Sequence, residues 1–172
     1  MVREQQEKVT DDARDVECYQ RNKSSSGSDI DKAVLKLLQR VCELQHRAWK
    51  ENPIKARSKR RFVCGFGEVK KHLELGNAKL VIVAEDLEMG AKNNLVSENF
   101  EEVNNLCLAN DVPVIKACKK HVIGRTLKKF PFVSVLVIIN TNDIQELCEK
   151  ALSLQKIKLI LLRHVDQPSL FA

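Results

Sequence analysis

The run Val133-Ser-Val-Leu-Val-Ile-Ile139 decides the fold, because it is short, almost wholly apolar and rich in β-branched side chains. Such a run is typical of a strand covered on both faces, since a strand with one wet face alternates apolar and polar residues. Residues 79–84, Lys-Leu-Val-Ile-Val-Ala, form a second run of this kind. The chain is therefore expected to contain a buried sheet that needs helices on both sides.

Segments with helical spacing alternate with short apolar runs along residues 59–155. This alternation is typical of an α/β fold in which helices cover a central sheet. Pro113 lacks a backbone N–H, which places its strand at a sheet edge or puts the proline at a strand start. The predicted elements are strand Arg61–Cys64, helix Gly65–Leu75, strand Lys79–Ala84, helix Ser97–Asn110, strand Val112–Ala117, helix Lys119–Leu127, strand Val133–Ile139 and helix Asp143–Leu154, with Ser97 and Thr141 as helix caps.

An amphipathic helix is predicted upstream of the sheet, from Asp29 to about residue 52. Its apolar side chains recur at three- and four-residue spacing, which puts them on one face. Ser28 or Asp29 can accept the free N–H groups at its start, and Pro53 ends it. The stripe needs a covering surface, and the sequence leaves open whether that surface is the domain or another protein. It consists of Ile30, Ala33, Val34, Leu37, Leu38, Val41, Leu44 and Trp49.

Composition divides the chain into four parts. Residues 1–28 are polar and end in a Ser/Gly run typical of a flexible linker. Residues 29–58 form the helical arm and a basic segment that leads into the domain of residues 59–155. Residues 156–172 are a C-terminal tail with an ambiguous apolar run. We expect deletion of residues 1–52 to leave the domain folded.

The 172 residues carry a formal charge of +6, concentrated in two basic blocks. Residues 50–79 hold nine basic and three acidic side chains, residues 112–132 hold six basic and none acidic, and residues 80–111 between them are acidic. Such blocks favour a polyanionic partner if the fold brings them to one face. No stretch approaches the roughly 20 apolar residues of a membrane helix, and charges follow Met1 in place of an apolar leader. We therefore expect a soluble, intracellular protein without membrane contact.

The sequence offers no complete set of residues for catalysis. No phosphate-binding glycine loop is complete. Two spacings could each supply half of the ligands of a zinc site: Cys118-x-x-His121 and Cys42-x-x-x-His46. Cys118 and His121 could also form a nucleophile and its base, but the sequence suggests no third group to orient them. The carboxylates of Glu85, Asp86 and Glu88 are more typical of a solvated loop than of a paired acid and base. We therefore expect no enzyme, no metal, no cofactor, and free thiols that are mostly buried.

Clusters of cations beside aromatic residues are the remaining signal. Lys55–Arg61 leads straight into a predicted strand, Lys119–Arg125 spans a predicted helix, and Lys128–Phe132 joins that helix to a buried strand. Lysines next to apolar loop residues suit a surface that grips phosphates and stacks on bases. The alternatives are a nuclear-import signal for Lys55–Arg61 and cations that decorate a helix C-terminus.

Three stretches in the right order resemble the kink-turn-binding ribosomal protein superfamily. Gly65-Phe-Gly-Glu-Val-Lys-Lys71 resembles its helix start, and Val81–Asp86 resembles its strand and loop. Val112–Val114, with Lys120 and Ile123-Gly-Arg125, resembles its later strand and helix. Within the superfamily the chain most resembles the selenocysteine insertion sequence (SECIS)-binding proteins, over roughly residues 28–155. This likeness lies in Lys55–Arg61 leading into Gly65, in Ile123–Leu127 with Lys129 and Val133–Val135, and upstream in Asp29–Asp31 and Leu37–Gln39.

The resemblance implies a three-layer α-β-α sandwich with a central mixed sheet. It also implies that this domain binds a kink-turn-like RNA with tandem sheared G·A pairs. By position, Gly67, Glu68 and Lys71 would face guanine edges, and loop 128–132 would pack on an extruded nucleotide. Gly67 stands where the family carries Asn or Arg, so that side-chain contact is missing and recognition would lean on Lys70, Lys71 and backbone N–H groups. The residues expected to contact RNA are Arg60, Arg61, Gly65, Gly67, Glu68, Lys70, Lys71, Lys120, Arg125, Lys128, Lys129, Phe130, Pro131 and Phe132.

For the SECIS-binding proteins the implied role is selenocysteine incorporation during translation. The RNA would be the selenocysteine insertion sequence (SECIS) stem-loop in the 3′ untranslated region of selenoprotein messages, or another kink-turn RNA. The implied protein partners are the ribosome and the selenocysteine-specific elongation factor, and the location is the cytoplasm, with shuttling through the nucleus. The alternatives are a ribosomal or small nucleolar ribonucleoprotein core protein of this fold, or a protein-interaction domain that has lost RNA binding.

Overall fold

The structure is a computed structural model that describes residues 27–87 and 94–165 of the chain. Most of the predicted flexible N-terminal segment, together with Cys18 and Glu88, lies outside the described residues. The described elements, in chain order, are α1 Asp29–Glu51, α2 Pro53–Ser58, β1 Phe62–Cys64, α3 Phe66–Glu74, β2 Leu80–Val83, α4 Asn94–Ala109, β3 Val114–Lys116, α5 Lys120–Thr126, β4 Val135–Ile138 and α6 Gln145–Val165.

Four strands form one mixed sheet in the order β1-β4-β2-β3. β2 and β3 are parallel, whereas β4 runs antiparallel to both of its neighbours, with Val137 opposite Val63 on one side and Val81 on the other. All four residues of β4 are buried, as its apolar composition predicts for a covered strand. Pro113 directly precedes β3, which is an edge strand, so the placement predicted from the missing N–H is confirmed.

Helices cover both faces of the sheet. Because successive strand residues point to opposite faces, Val63, Val81 and Val137 lie in one apolar cluster with buried residues of α3 and α4. Phe62 and Ile138 point the other way, into a larger cluster with α1, α5 and α6. The three-layer α-β-α sandwich with a central mixed sheet is therefore confirmed.

α1 belongs to one of these layers. Ser28, one of the two predicted caps, is the N-cap, and it forms a capping box with Asp31. Six of its residues are buried, and Leu37 and Leu38 are 0% exposed within the larger cluster. Gln45 of α1 also holds the segment before β1, because its side-chain oxygen accepts from the backbone N–H of Arg61 at 2.7 Å. α1 therefore packs on the domain and supplies part of the cover of one sheet face, beside α5 and α6. This packing argues against the expectation that residues 53–172 would fold without it.

Two helix starts differ from the prediction. Pro53 ends α1 but also begins the short helix α2, because a proline fits the first helical turn, where no N–H is needed. Asn52 between the two helices accepts from the backbone N–H of Lys55 at 3.0 Å and caps α2. α4 already includes Asn94, so Ser97 lies inside this helix and does not cap it.

α6 starts later and ends later than predicted. Thr141 does not cap it; the backbone carbonyl of Thr141 instead accepts from Ile144 N at 3.1 Å in the turn before the helix. The helix continues past Leu154 to Val165 through a segment without glycine or proline, so the first part of the predicted tail is helical. None of the helices in the described part of the chain is long and apolar enough to cross a bilayer.

Candidate nucleic-acid interface

The loops that carry the predicted site meet at one edge of the sheet. β1, β2 and β3 run in the same direction and β4 runs against them, so three carboxyl ends and the amino end of β4 share an edge. Backbone hydrogen bonds join these ends: Gly65 N donates to Val135 O at 3.0 Å, and Ala84 N donates to Ser134 O at 2.9 Å. This site edge brings together the start of α3, the loop after β2, the start of α5 and the apolar loop (residues 128–132).

The start of α3 presents backbone N–H groups at the site edge. Gly65 is its N-cap, with φ +100°, a conformation that glycine adopts more readily than other residues. No side chain of residues 27–87 or 94–165 caps the helix, so among these residues its first-turn N–H groups and the positive end of its dipole remain available. A Cβ added to Gly67 would meet no atom within 4 Å, so a side chain can start from this position without a clash at its first carbon. Such a helix start suits phosphate oxygens or acceptor atoms of a base.

Glu68 and Lys71 are exposed on α3, and neither forms an ion pair among the described residues. A carboxylate there can accept from the N1–H and N2–H of a guanine, and an ammonium can hold a phosphate. Lys70 is placed differently, because its ammonium donates to Asn99 Oδ1 at 2.7 Å and pairs with Glu102 of α4. Lys70 therefore ties α3 to α4, and its RNA contact stays a prediction that requires this pair to open.

The two predicted arginines lie at the opposite end of β1 from the site edge. Arg60 is exposed in the segment before the strand. The guanidinium of Arg61 donates to Asn142 O at 2.8 Å and lies 3.5 Å from a carboxylate oxygen of Asp143. Arg61 thus holds the segment before β1 to the turn before α6, and its contact with RNA stays a prediction.

The apolar loop presents aromatic side chains to solvent. Phe130 is 90% exposed and Phe132 is 46% exposed, and a cis peptide bond joins Phe130 to Pro131. Gly124 of α5 lets this loop approach closely, since a Cβ there would lie 2.8 Å from Lys129 O and 2.9 Å from Phe132 Cα. Lys129 N also donates to Gly124 O at 2.8 Å. The fold thus holds two large apolar side chains outward, an arrangement suited to stacking on a base.

α5 supplies cations beside the apolar loop. The backbone N–H of Lys120 donates to Asp86 Oδ1 at 2.7 Å, and its ammonium lies 5.5 Å from the centre of the Phe132 ring. His121 packs edge-on against the same ring, with the ring centres 6.0 Å apart. Arg125 is exposed in the last turn of α5. The ammonium of Lys120 and the ring of Phe132 therefore form one surface.

The positive charge of Lys129 acts on Cys64, the residue before the N-cap of α3. Burial raises the pKa of the Cys64 thiol, directly before Gly65, to about 11, and the nearby positive charge of Lys129 opposes that rise. Burial likewise raises the pKa of Cys42 in α1 against the charge of Lys128. A cation of the second basic block therefore lies close to the helix start that belongs to the first block.

Two acidic residues after β2 have structural partners that no local sequence pattern indicated. Glu85 pairs with Lys158 of α6, and Asp86 accepts a hydrogen bond from the backbone at the start of α5.

Cys118, half of a candidate zinc or nucleophile site, is buried, and its thiol lies 3.6 Å from Asp31 O. Burial and the carboxylate of Asp31 raise the pKa of this thiol well above its ordinary value. In the described part of the chain, no three His, Cys, Asp or Glu side chains gather into a metal site.

Known proteins resemble this chain in sequence and in fold. Residues 47–148 match the family described as ribosomal protein L7Ae/L30e/S12e/Gadd45. Selenocysteine insertion sequence-binding protein 2-like from Homo sapiens is 30% identical over 126 residues, which are 73% of this chain and 11% of that protein. Selenocysteine insertion sequence-binding protein 2 from Rattus norvegicus is 28% identical over 126 residues, 73% of this chain and 15% of that protein. The chain thus spans only 11–15% of the length of these relatives.

A solved structure has a fold similar to that of this chain. The Giardia lamblia 15.5kD RNA binding protein superposes with a TM-score of 0.56 at 18% identity, over 80% of this chain and 96% of that one. The family match covers more than half of the chain and includes the start of α3, α5 and the apolar loop. The resemblance drawn from the motifs is confirmed, and the chain belongs to the ribosomal protein L7Ae/L30e/S12e/Gadd45 family.

Proposed function

We propose that this chain is a non-enzymatic RNA-binding module that recognises a kink-turn-like stem with tandem sheared G·A pairs. The observation that carries the proposal is the meeting of two features at the site edge. One is the uncapped start of α3 with the exposed carboxylate of Glu68. The other is the apolar loop, which holds Phe130 out to solvent. Together they offer hydrogen bonds to base edges and a face for stacking.

In this proposal each part of the site edge has a separate task. Glu68 accepts from guanine N–H groups, while the N–H groups of the first α3 turn and Lys71 hold phosphates or base acceptors. Phe130 packs on a nucleotide that has left the stack, since an unstacked base regains contact on an aromatic ring. Lys120 lies beside Phe132 and holds the backbone next to that nucleotide.

The RNA that we propose is the SECIS stem-loop in the 3′ untranslated region of selenoprotein messages. The names of the human and rat relatives support this choice. The proposal extends to selenocysteine incorporation during translation, with the ribosome and the selenocysteine-specific elongation factor as partners. It places the protein in the cytoplasm, with passage through the nucleus.

A binding assay with matched RNAs tests the recognition. We expect a SECIS stem-loop to bind more tightly than the same stem with its G·A pairs replaced by Watson–Crick pairs. Equal affinity for both stems would refute the kink-turn proposal. Cross-linking in cells, followed by sequencing of the bound RNA, separates the candidates: selenoprotein messages support the proposal, whereas ribosomal or small nucleolar RNA supports a core protein of those particles.

Substitutions in α3 test the named contacts. We expect Glu68→Ala and Lys71→Ala each to cost about 1–3 kcal/mol, or roughly 5- to 150-fold in Kd, the value of a good base contact. Glu74→Ala is a matched control, because Glu74 is exposed at the other end of the same helix. Unchanged gel-shift affinity in both α3 variants would show that these residues do not contact the RNA.

A further inference from the structure

A groove runs along the outer edge of β1, away from the site edge. β1 ends the sheet, so one of its sides faces no other strand in the described residues. The groove, of about 580 Å³, lies between the segment before β1, α3 and the turn that follows β4. We call it the edge groove, and its charged and titratable lining consists of Arg57, Lys59, Arg60, Glu68, His72 and Lys79.

Positive charge dominates the edge groove. Lys59, Arg60 and Lys79 form no ion pair among the described residues, and Arg57 lies over the Trp49 ring at 5.7 Å. Four cations that share a groove without carboxylate partners repel one another, so the fold gains no stability from gathering them. Such a lining is typical of a surface that holds a polyanion.

The groove also contains a polar atom that the fold leaves unsatisfied. His72 Nδ1 is buried and has no hydrogen-bond partner in the described structure. Buried polar atoms normally have a partner, so a residue that lines the groove and carries an unsatisfied one could turn that atom toward a group supplied from outside. A phosphate oxygen or a ribose hydroxyl has the required chemistry.

The edge groove is continuous with the proposed RNA site. Glu68 belongs to both, since it lines the groove and stands on the first turn of α3 at the site edge. From Arg60 to Gly65 the chain extends roughly 16 Å at about 3.3 Å per residue. The groove and the site edge are therefore close enough for neighbouring parts of one RNA stem to reach both.

We infer that the edge groove holds the phosphate backbone of the stem that flanks the G·A pairs, with Lys59, Arg60 and Lys79 as the phosphate contacts. This inference rests on the proposed function and extends it, because it assigns a second contact surface to the same RNA. The start of α3 and the apolar loop select the G·A pairs, whereas the edge groove adds affinity without base selection.

The salt dependence of binding tests the inference. The double variant Lys59→Gln/Lys79→Gln removes two cations from the groove, and Lys36→Gln/Lys150→Gln removes two exposed cations from the opposite helical layer as a matched control. Each lost phosphate contact lowers the slope of log K against log salt by about 0.7–0.9. Between 50 and 200 mM salt, wild type and control should therefore lose about 7- to 12-fold more affinity for a SECIS stem-loop than the groove variant does. Thermal melts should show that both variants are folded.

Stem truncation locates the contact. When the stem is shortened by a few base pairs from each side in turn, one truncation should weaken wild type more than the groove variant, which keeps only Arg60 of the three proposed contacts. The ratio of affinities for the G·A stem and the Watson–Crick stem should be the same in wild type and groove variant. Equal salt slopes in groove variant and control, with that ratio intact, would overturn the inference alone. If wild type itself does not distinguish the two stems, the proposed function and this inference both fail.

Discussion

Two glycines on short helices should respond to alanine in opposite directions. A Cβ at Gly124 would lie 2.8 Å from Lys129 O and 2.9 Å from Phe132 Cα, and both of these are backbone atoms. A side chain could rotate away from such a contact, but backbone cannot, so the apolar loop must shift. Gly67 in α3 is the matched control, because a Cβ there would meet no atom within 4 Å.

Two effects of known size decide whether each alanine raises or lowers the free energy of unfolding. Replacing glycine by alanine within a helix stabilises by about 0.5–1 kcal/mol, because the unfolded chain loses freedom. Overpacking a tight site costs about 1–3 kcal/mol. At Gly124 the clash outweighs the gain, so Gly124→Ala should lower the free energy of unfolding by about 0.5–2 kcal/mol. At Gly67 the gain acts alone, and Gly67→Ala should raise that free energy by at most about 1 kcal/mol.

Urea unfolding followed by circular dichroism measures both changes. Gly124→Ala should also weaken binding to a SECIS stem-loop, because the loop that shifts carries Phe130. A stacking contact is worth about 1–3 kcal/mol, so Kd should rise by roughly 5- to 150-fold if the stack is lost. A Gly124→Ala protein as stable as wild type, with unchanged affinity, would refute the argument that this glycine sets the approach of the loop.

Three further predictions concern α1, α3 and a buried thiol. Leu37→Ala should lower the free energy of unfolding by about 2–5 kcal/mol in the same urea assay, because Leu37 is 0% exposed, and exposed Lys36→Ala should change it by less than about 0.5 kcal/mol. A small loss at Leu37 would mean that α1 is not a core element. Gly67→Asn should tighten binding to the G·A stem and leave the Watson–Crick stem unaffected; equal changes for both stems would contradict a base contact. Burial raises the pKa of Cys64 from 9.0 to about 11, so less thiolate is present at any pH below that value, and its alkylation rate, followed by mass spectrometry, should keep rising tenfold per pH unit beyond pH 9. A rate that levels off near pH 9 would argue against this burial.

Local patterns were sufficient for most of the secondary structure and for the family. The apolar run around β4 identifies a covered strand, because its period and composition depend only on neighbouring residues. The motifs from Gly65 to Lys71 and around Gly124 identify the family because backbone conformation at a helix start is set within a few residues. Local patterns did not determine where two of the helices start. Ser97 and Thr141 have cap-forming side chains, but neither caps its helix in the structure.

The amphipathic stripe of α1 established that a covering surface exists, while only packing could identify that surface as the sheet. Lys70 and Lys71 are neighbours of the same type, yet one pairs with Glu102 and the other is exposed, because the helix turns them toward different surroundings. The contact of Gly124 with the apolar loop has no local signature, and neither does the placement of Lys79 in the same groove as the cations of Lys55–Arg61. Periodicity records which face of an element is apolar, but contacts between distant residues depend on how the layers are stacked, and that is settled only when the whole core packs.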